Sequence, residues 1–200
     1  MNILLLSAHA DWRTARIREI LESAGDSVTL HRTQLTPEGT KGYDWGVSYS
    51  YQHLLKRDVL ANWRCINLHC SYLPWNRGAD PNLWSWIDDT VKGATIHLID
   101  PGIDTGPIYC QSQVEMSEAE TLASSYDLLH DELARLLRVH WKDIRDGRLL
   151  PIPQVGKGSI HYDKDRPKIQ PILDLGHDVR IRDIAIQDLA LPGAVCTFAL

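Results

Sequence analysis

The chain has 200 residues, 44% of them hydrophobic and 24% charged, with a formal net charge of -5. That length suffices for one α/β domain with a full core, or one domain and a short appendage, and the balance excludes both a disordered and a membrane-spanning chain. The acidic excess excludes a protein whose main role is to grip a nucleic-acid backbone, which needs clustered Lys and Arg; a local basic site for a small anion stays compatible with it.

The four cysteines, Cys65, Cys70, Cys110 and Cys196, form no CxxC pair. Neither a zinc site nor a disulfide framework is expected, and reduced thiols point to the cytoplasm. The opening MNILLLSAHADW has a short apolar run with no basic residue before it, the pattern of a buried first strand and not of a signal peptide. No stretch approaches the roughly 20 apolar residues of a membrane span.

Residues 3–6 are an uninterrupted apolar run, as in a strand covered on both faces of a parallel sheet. After the turn SAHADWRT, residues 15–25 place Ile17, Ile20 and Leu21 at helical spacing before Gly25, and Ser27–His31 reads as a second strand. This β-α-β opening predicts a single doubly wound, mostly parallel sheet with flanking helices. The first βα turn has no glycine, so the fingerprint of an NAD or FAD site is missing. Residues 34–42 read as a loop, 45–50 as a strand, and 51–60 as a helix or helical turn with Leu54, Leu55, Val59 and Leu60 inward.

Cys65–His69 is a short buried strand ending in a polar group, where function gathers in open α/β sheets. An irregular SYLPWNRGADP leads to a helix, PNLWSWIDD, with Leu83, Trp84 and Ile87 toward the core. Residues 94–99 alternate like a strand, and a turn-rich DPGIDTG loop feeds one more. Thr121 caps a helix running to about Asp146, with Leu122, Tyr126, Leu129, Leu133, Leu136 and Ile144 on one stripe and Gly147 as its stop. Residues 1–147 are thus expected to make one domain. Residues 148–200 are read as an extension wrapping it: a proline-rich stretch, a weak amphipathic helix over 180–191 and an apolar tail.

Polar groups that a fold does not need for its own sake gather between residues 65 and 109. Asn67 and His69 lie two apart on one strand, on the same face. Asp104 comes later in a glycine-flanked loop, after a helix and a strand able to return it beside them. A His held by a carboxylate next to an amide donor is a proton-transfer unit with oxyanion support. No GxSxG elbow is present, which favours direct attack by a substrate nucleophile over a covalent enzyme intermediate.

NLHCSYLPWNRGADP followed by KGATIHLIDPGIDTGPI resembles the signature of the folate-dependent formyltransferases, the family that includes methionyl-tRNA formyltransferase, glycinamide ribonucleotide transformylase and the sugar N-formyltransferases. The wording and short chain are most similar to the sugar enzymes; the residues after the long helix are too few for a C-terminal barrel like that of the tRNA enzyme. The resemblance implies transfer of a formyl group from the cosubstrate N10-formyltetrahydrofolate, without a metal, to a small-molecule amine such as a nucleotide-linked amino sugar. No nucleic-acid or membrane partner is implied, and a homodimer is a candidate assembly. A formyltetrahydrofolate hydrolase, or a catalytically weak folate-binding or scaffold relative, stands as the alternative.

By position, Asn67 would stabilise the oxyanion, His69 would transfer the proton and Asp104 would tune His69. Tyr51, Leu54, Leu55, Ile99, Asp100, Gly102 and Asp104 would form the pterin cradle, and Ser71, Trp75, Asn76, Arg77, Gly78 and Asp80 the acceptor side. Only 66 residues precede Asn67, so a strand-helix unit is expected to be reduced or missing. Other readings stay open: His97 facing the same cleft or packed in its strand, His9 and Arg13 binding acceptor or lying on the surface. Trp84 and Trp86 read as packing residues and His130 and His140 as ordinary helix residues; His161 and Tyr162 read as surface, with a segment folding over the acceptor as the second reading.

Overall fold

A computed structural model describes residues 1–184 of the chain. Strand β1 (Asn2–Leu6) is apolar on both faces because both are covered. Ile3 and Leu5 join one core cluster, and Leu4 and Leu6 the cluster on the opposite side of the sheet. Helix α1 (Trp12–Ser23) starts earlier than its apolar spacing predicts, because the Asp11 side chain accepts the Thr14 N–H and caps it there. Strand β2 (Ser27–His31) pairs parallel to β1 on one side, and β3 (Trp45–Tyr49) parallel to β1 on the other. The sheet order therefore reverses at β1, which opens a crevice beyond the carboxyl ends of β1 and β3.

The expected economy lies in the crossovers. Between β2 and β3 there is a single 3₁₀ turn, Pro37–Thr40, in place of a helix. Between β3 and the next strand there is only α2 (Arg57–Leu60), so most of the helix expected over 51–60 is irregular chain. Ser50 turns into the left-handed region at φ 52, and residues 51–56 then run along the crevice, leaving Leu54 68% exposed instead of inward.

Strand β4 (Cys65–His69) pairs parallel to β3. The two-residue β5 (Arg77–Gly78) and helix α3 (Pro81–Ile87) come next, then β6 (Gly93–Leu98), which returns antiparallel to β4 and brings His97 opposite Asn67. β7 (Ile108–Gln113) closes the order β2-β1-β3-β4-β6-β7. Helix α4 (Leu122–Arg145) is capped by Thr121 as expected and buries Leu129, Leu133, Leu136, Leu137, Trp141 and Ile144 against the sheet. Trp141 is fully buried and gives its indole N–H to Asp26 at 2.7 Å.

Residues 148–161 pass back over the sheet end. Ile152 pairs with Ile108, and β8 (Ile160–His161) adds a parallel partner to β5. Helix α5 (Gln170–Leu173) packs Ile172 into a satellite core with Leu83, Trp84 and Ile87 of α3. Of the amphipathic helix expected over 180–191, Ile181–Asp183 is a 3₁₀ turn, and the part beyond residue 184 lies outside the described residues. Among the described residues no helix is long and apolar enough to cross a membrane.

Candidate active site

A cleft of about 1200 Å³ lies beyond the carboxyl ends of the strands, and Asn67, His69 and Asp104 are on its wall. Strand alternation puts Asn67 and His69 on one face, and the loop after β6 returns Asp104 to them from a left-handed backbone, φ 50. The Asn67 amide nitrogen donates to Asp104 Oδ1 at 3.0 Å; a carboxylate only accepts, which assigns the amide orientation. The Gly78 N–H donates to Asp104 Oδ2 at 2.8 Å, and His69 Nδ1 stands 3.5 Å from the same oxygen. Burial pushes the Asp104 carboxyl upward, but His69 and His97, when protonated, and the Gly78 N–H hold it well below the usual carboxylate range. Asp104 is therefore ionised at neutral pH.

His69 is buried and faces two acceptors. Its Nε2 lies 3.0 Å from the Asn76 carbonyl, which fixes the proton there, and Nδ1 is left toward Asp104 and the cleft. Burial lowers the imidazole below its ordinary value; the Asp104 charge opposes this, and His97 adds to the lowering. The resting ring is neutral, with an open Nδ1 whose protonated form the carboxylate would meet. That is the arrangement of a general base.

His97 belongs to the same cluster. It is 1% exposed, its Nδ1 lies 3.0 Å from the Leu98 carbonyl, and its Nε2 is 3.3 Å from both Asp104 Oδ1 and the Asn67 amide nitrogen. Of its two open readings, the cleft-facing one describes where it stands, since it is also on the cleft lining.

On one side of this cluster the wall carries Tyr51, Leu54, Leu55, Ile99, Asp100 and Gly102. Leu54 presents bare apolar surface on the same cleft that residues 100–104 line, a combination that suits a flat ring with donors and acceptors on its edge. Thr105 Oγ1 and the Gly102 N–H both donate to Asp100 Oδ1, which shapes that loop.

Of the six acceptor-side candidates, Gly78 and Asp80 line the cleft. Ser71, Trp75, Asn76 and Arg77 do not, and each has a different occupation. Ser71 Oγ donates to the Trp75 carbonyl at 2.7 Å, and Trp75 is 40% exposed away from the cleft. Asn76 is fully buried, its amide donating to Thr90 Oγ1. Arg77 gives Nε and Nη2 to Gln154 Oε1 at 3.1 and 2.8 Å.

Other residues come to the cleft as well. His161 and Tyr162, read as surface first and as folding over the acceptor second, line it; His161 stacks on Trp84 at 3.9 Å and bonds Asp88. His9 and Arg13 line it too, Arg13 being paired with Asp127. His130, read as an ordinary helix residue, is buried on the wall: Tyr49 O–H meets its Nδ1 at 2.6 Å, and Cys70 and Tyr126 adjoin it. Burial, with Arg13 adding to it, lowers His130 to about 4, and burial pushes the Cys70 thiol up to about 12, so His130 and Cys70 are themselves neutral at neutral pH beside the Arg13–Asp127 pair. The available signal was a polar residue one turn after Tyr126 on an otherwise apolar stripe. Among the described residues no group of three His, Cys, Asp or Glu side chains is arranged to hold a metal ion.

Comparison with known proteins places these residues in context. Residues 39–138 match the Formyl transferase family model. The chain is 32% identical over 123 residues to dTDP-4-amino-4,6-dideoxyglucose formyltransferase of Mycobacterium tuberculosis, covering 62% of this chain and 53% of that one. It is 32% identical over 152 residues to methionyl-tRNA formyltransferase of Myxococcus xanthus, covering 72% and 49%. The chain thus spans about half the length of the curated relatives it matches. Among solved structures, formyltransferase PseJ from Anoxybacillus kamchatkensis, in complex with UDP-4,6-dideoxy-4-formamido-L-AltNAc and tetrahydrofolate, superposes with a TM-score of 0.83 at 40% identity, covering 91% of this chain and 96% of that one.

Proposed function

The chain belongs to the formyl transferase family, and on that premise we propose that it moves the formyl group of N10-formyltetrahydrofolate to the primary amine of a nucleotide-linked amino sugar. The observation that carries this reading is the Asn67–Asp104–His69 cluster, built from one strand and one returning loop on the wall of a cleft large enough for two ligands. The similarity to PseJ, whose complex holds tetrahydrofolate and a formamido nucleotide sugar, supports both ligand classes.

The residues fit such a cosubstrate: Leu54, Leu55 and Ile99 offer apolar cover for a ring, and the backbone of residues 100–104 offers polar partners at its edge. When bound, the folate supplies the one-carbon group. Asn67 uses its amide N–H to stabilise the formyl oxygen as that oxygen gains charge; the hydrogen toward His97, at 3.3 Å, is held less firmly than the one on Asp104 and is the donor free to turn. His69 accepts at Nδ1 the proton that the attacking amine gives up and returns it to the nitrogen that leaves, keeping Nε2–H on the Asn76 carbonyl throughout. Asp104, ionised and 3.5 Å away, stabilises the imidazolium in between. His130 and Tyr126 offer neutral polar and aromatic groups on the cleft wall that suit a neutral sugar substituent.

A thermal-shift panel of folate analogues and nucleotide sugars tests the ligand classes, because binding to the folded state raises the midpoint with concentration. Tetrahydrofolate and at least one nucleotide-linked amino sugar are expected to raise it. A panel in which neither class does so overturns the reading.

A further inference from the structure

Residue Gln154, in the segment returning after α4, makes four hydrogen bonds with one carboxamide. Its Nε2 donates to the carbonyls of Asp104 at 2.8 Å and Gly106 at 2.9 Å. Its Oε1 accepts Arg77 Nε and Nη2 at 3.1 and 2.8 Å. Both amide hydrogens and both lone pairs are used, the full capacity of the group. These bonds end on the loop that carries the Asp104 carboxylate and on Arg77 of β5, next to Gly78, whose N–H holds that carboxylate from the other side.

The loop needs holding. Asp104 has φ 50, a left-handed conformation that costs a non-glycine residue about 1 kcal/mol or more and persists where its surroundings enforce it. Gly106 is packed so closely that a Cβ there would sit 1.7 Å from the Leu98 carbonyl oxygen. The returning segment is itself anchored on either side of Gln154. Ile152 exchanges backbone bonds with Ile108 at 2.7 and 2.8 Å, and Ser159 Oγ accepts the Asn76 N–H and donates to Asn76 Oδ1. The carboxamide is thus fixed in space before it meets the loop.

We propose that Gln154 is a positioning residue for the reaction: held by Arg77, it fixes the left-handed backbone of Asp104 and so aims the carboxylate at Asn67 and His69. This rests on the formyl-transfer reading of the site. It also gives Arg77 a role, since Arg77 then acts on the site through Gln154 and not by touching the acceptor.

The test uses the full chain with Gln154→Glu and Gln154→Ala. The glutamate still accepts from Arg77 but has no hydrogens for the two carbonyls and repels them; alanine removes both sides of the bridge. Four quantities are measured: kcat and KM for amine-dependent formyl transfer with a nucleotide-linked 4-amino sugar, the NMR titration of the His69 ring, and the thermal midpoint. Charged or titratable groups facing that ring are Asp104, His97 and Arg77; the carboxylate that Gln154→Glu adds could only raise His69, so a lowered value in either variant reports Asp104 turning away. Both variants are expected to lose kcat by about 100-fold, the size of effect that a 1 Å misplacement produces. KM for the folate should stay within a few-fold, and His69 should titrate at lower pH once the carboxylate is no longer aimed at Nδ1.

Folded variants with wild-type kcat and wild-type His69 titration overturn the inference. So does a fall in kcat with an unmoved titration, which would assign Gln154 a purely structural role. Should Gln154→Ala fail to fold, Gln154→Glu, which keeps and strengthens the Arg77 pairing, carries the test. A wild-type protein that transfers no formyl group while the variants still shift His69 sinks the functional reading and leaves the positioning role standing.

Discussion

Asn67 and His97 stand directly opposite one another on the antiparallel strands β4 and β6, and both turn to the same oxygen of Asp104. The pairing register thereby decides which amide hydrogen of Asn67 is committed to the carboxylate and which is left for a ligand. A one-residue slip would send Asn67 to the other face of the sheet.

Asn67→Ala removes the donor to a charging oxygen and leaves Asp104 with the Gly78 N–H and the two histidines. The expected loss in kcat is about 10²–10³-fold, with folate affinity little changed. Steady-state kinetics paired with equilibrium folate binding checks it; a loss confined to KM would remove Asn67 from the oxyanion role.

Acting as a base, His69 must be neutral, and burial holds its folded value below the ordinary 6.5. Activity in kcat/KM is therefore retained down through pH 6.5 and lost as pH falls through the lower folded value. Asp104→Asn removes the charge that raises His69, so the acid limb moves to still lower pH while the plateau drops by about 100-fold or more. A wild-type limb above pH 6.5 contradicts this assignment.

His130 titrates at about 4 in the fold against 6.5 when unfolded. Between those values the unfolded chain binds a proton that the folded one refuses, so stability falls as pH drops from 6.5 and the loss reaches about 3 kcal/mol near pH 4. His69, also lowered, adds in the same direction. Chemical denaturation of wild type and His130→Gln across this window should show a shallower decline in the variant, whose amide oxygen still accepts the Tyr49 hydroxyl. Parallel declines would mean that His130 is not buried neutral.

The side chain of Leu54 is exposed on the cleft lining, where the proposed function gives it a folate ring to cover. Leu54→Ala should leave folding stability within about 0.5 kcal/mol and weaken tetrahydrofolate binding about tenfold, the apolar area lost. Isothermal titration and thermal melting together separate the two effects.

That Asn67, His69 and Asp104 come together was legible in the sequence because the signals are local: Asn67 and His69 share a strand face, and a glycine-flanked loop is where Asp104 can approach them. β1, β2, β4 and the long capped helix were legible for the same reason, each carrying its own period or cap. What was not legible depends on contacts between distant segments. Ser71, Asn76 and Arg77 look like ligand groups in a loop, yet Asn76 and Arg77 spend their polar atoms on Thr90, Ser159 and Gln154, up to 83 residues away in sequence. Residues 51–60 have helical apolar spacing, but the chain must leave β3 along the cleft, and tertiary demand overrides the period. Gln154 carries no sequence signal, since its role exists only once the returning segment meets the loop.

The most direct test is amine dependence. Purified protein is incubated with N10-formyltetrahydrofolate, with and without a nucleotide-linked 4-amino sugar, and both tetrahydrofolate and formamido sugar are quantified for wild type and His69→Ala. The account predicts equal amounts of the two products, appearing only with the amine, and a loss of about 10²–10⁴-fold in the variant, which still binds folate. Tetrahydrofolate release that needs no amine, or undiminished turnover by His69→Ala, would contradict it.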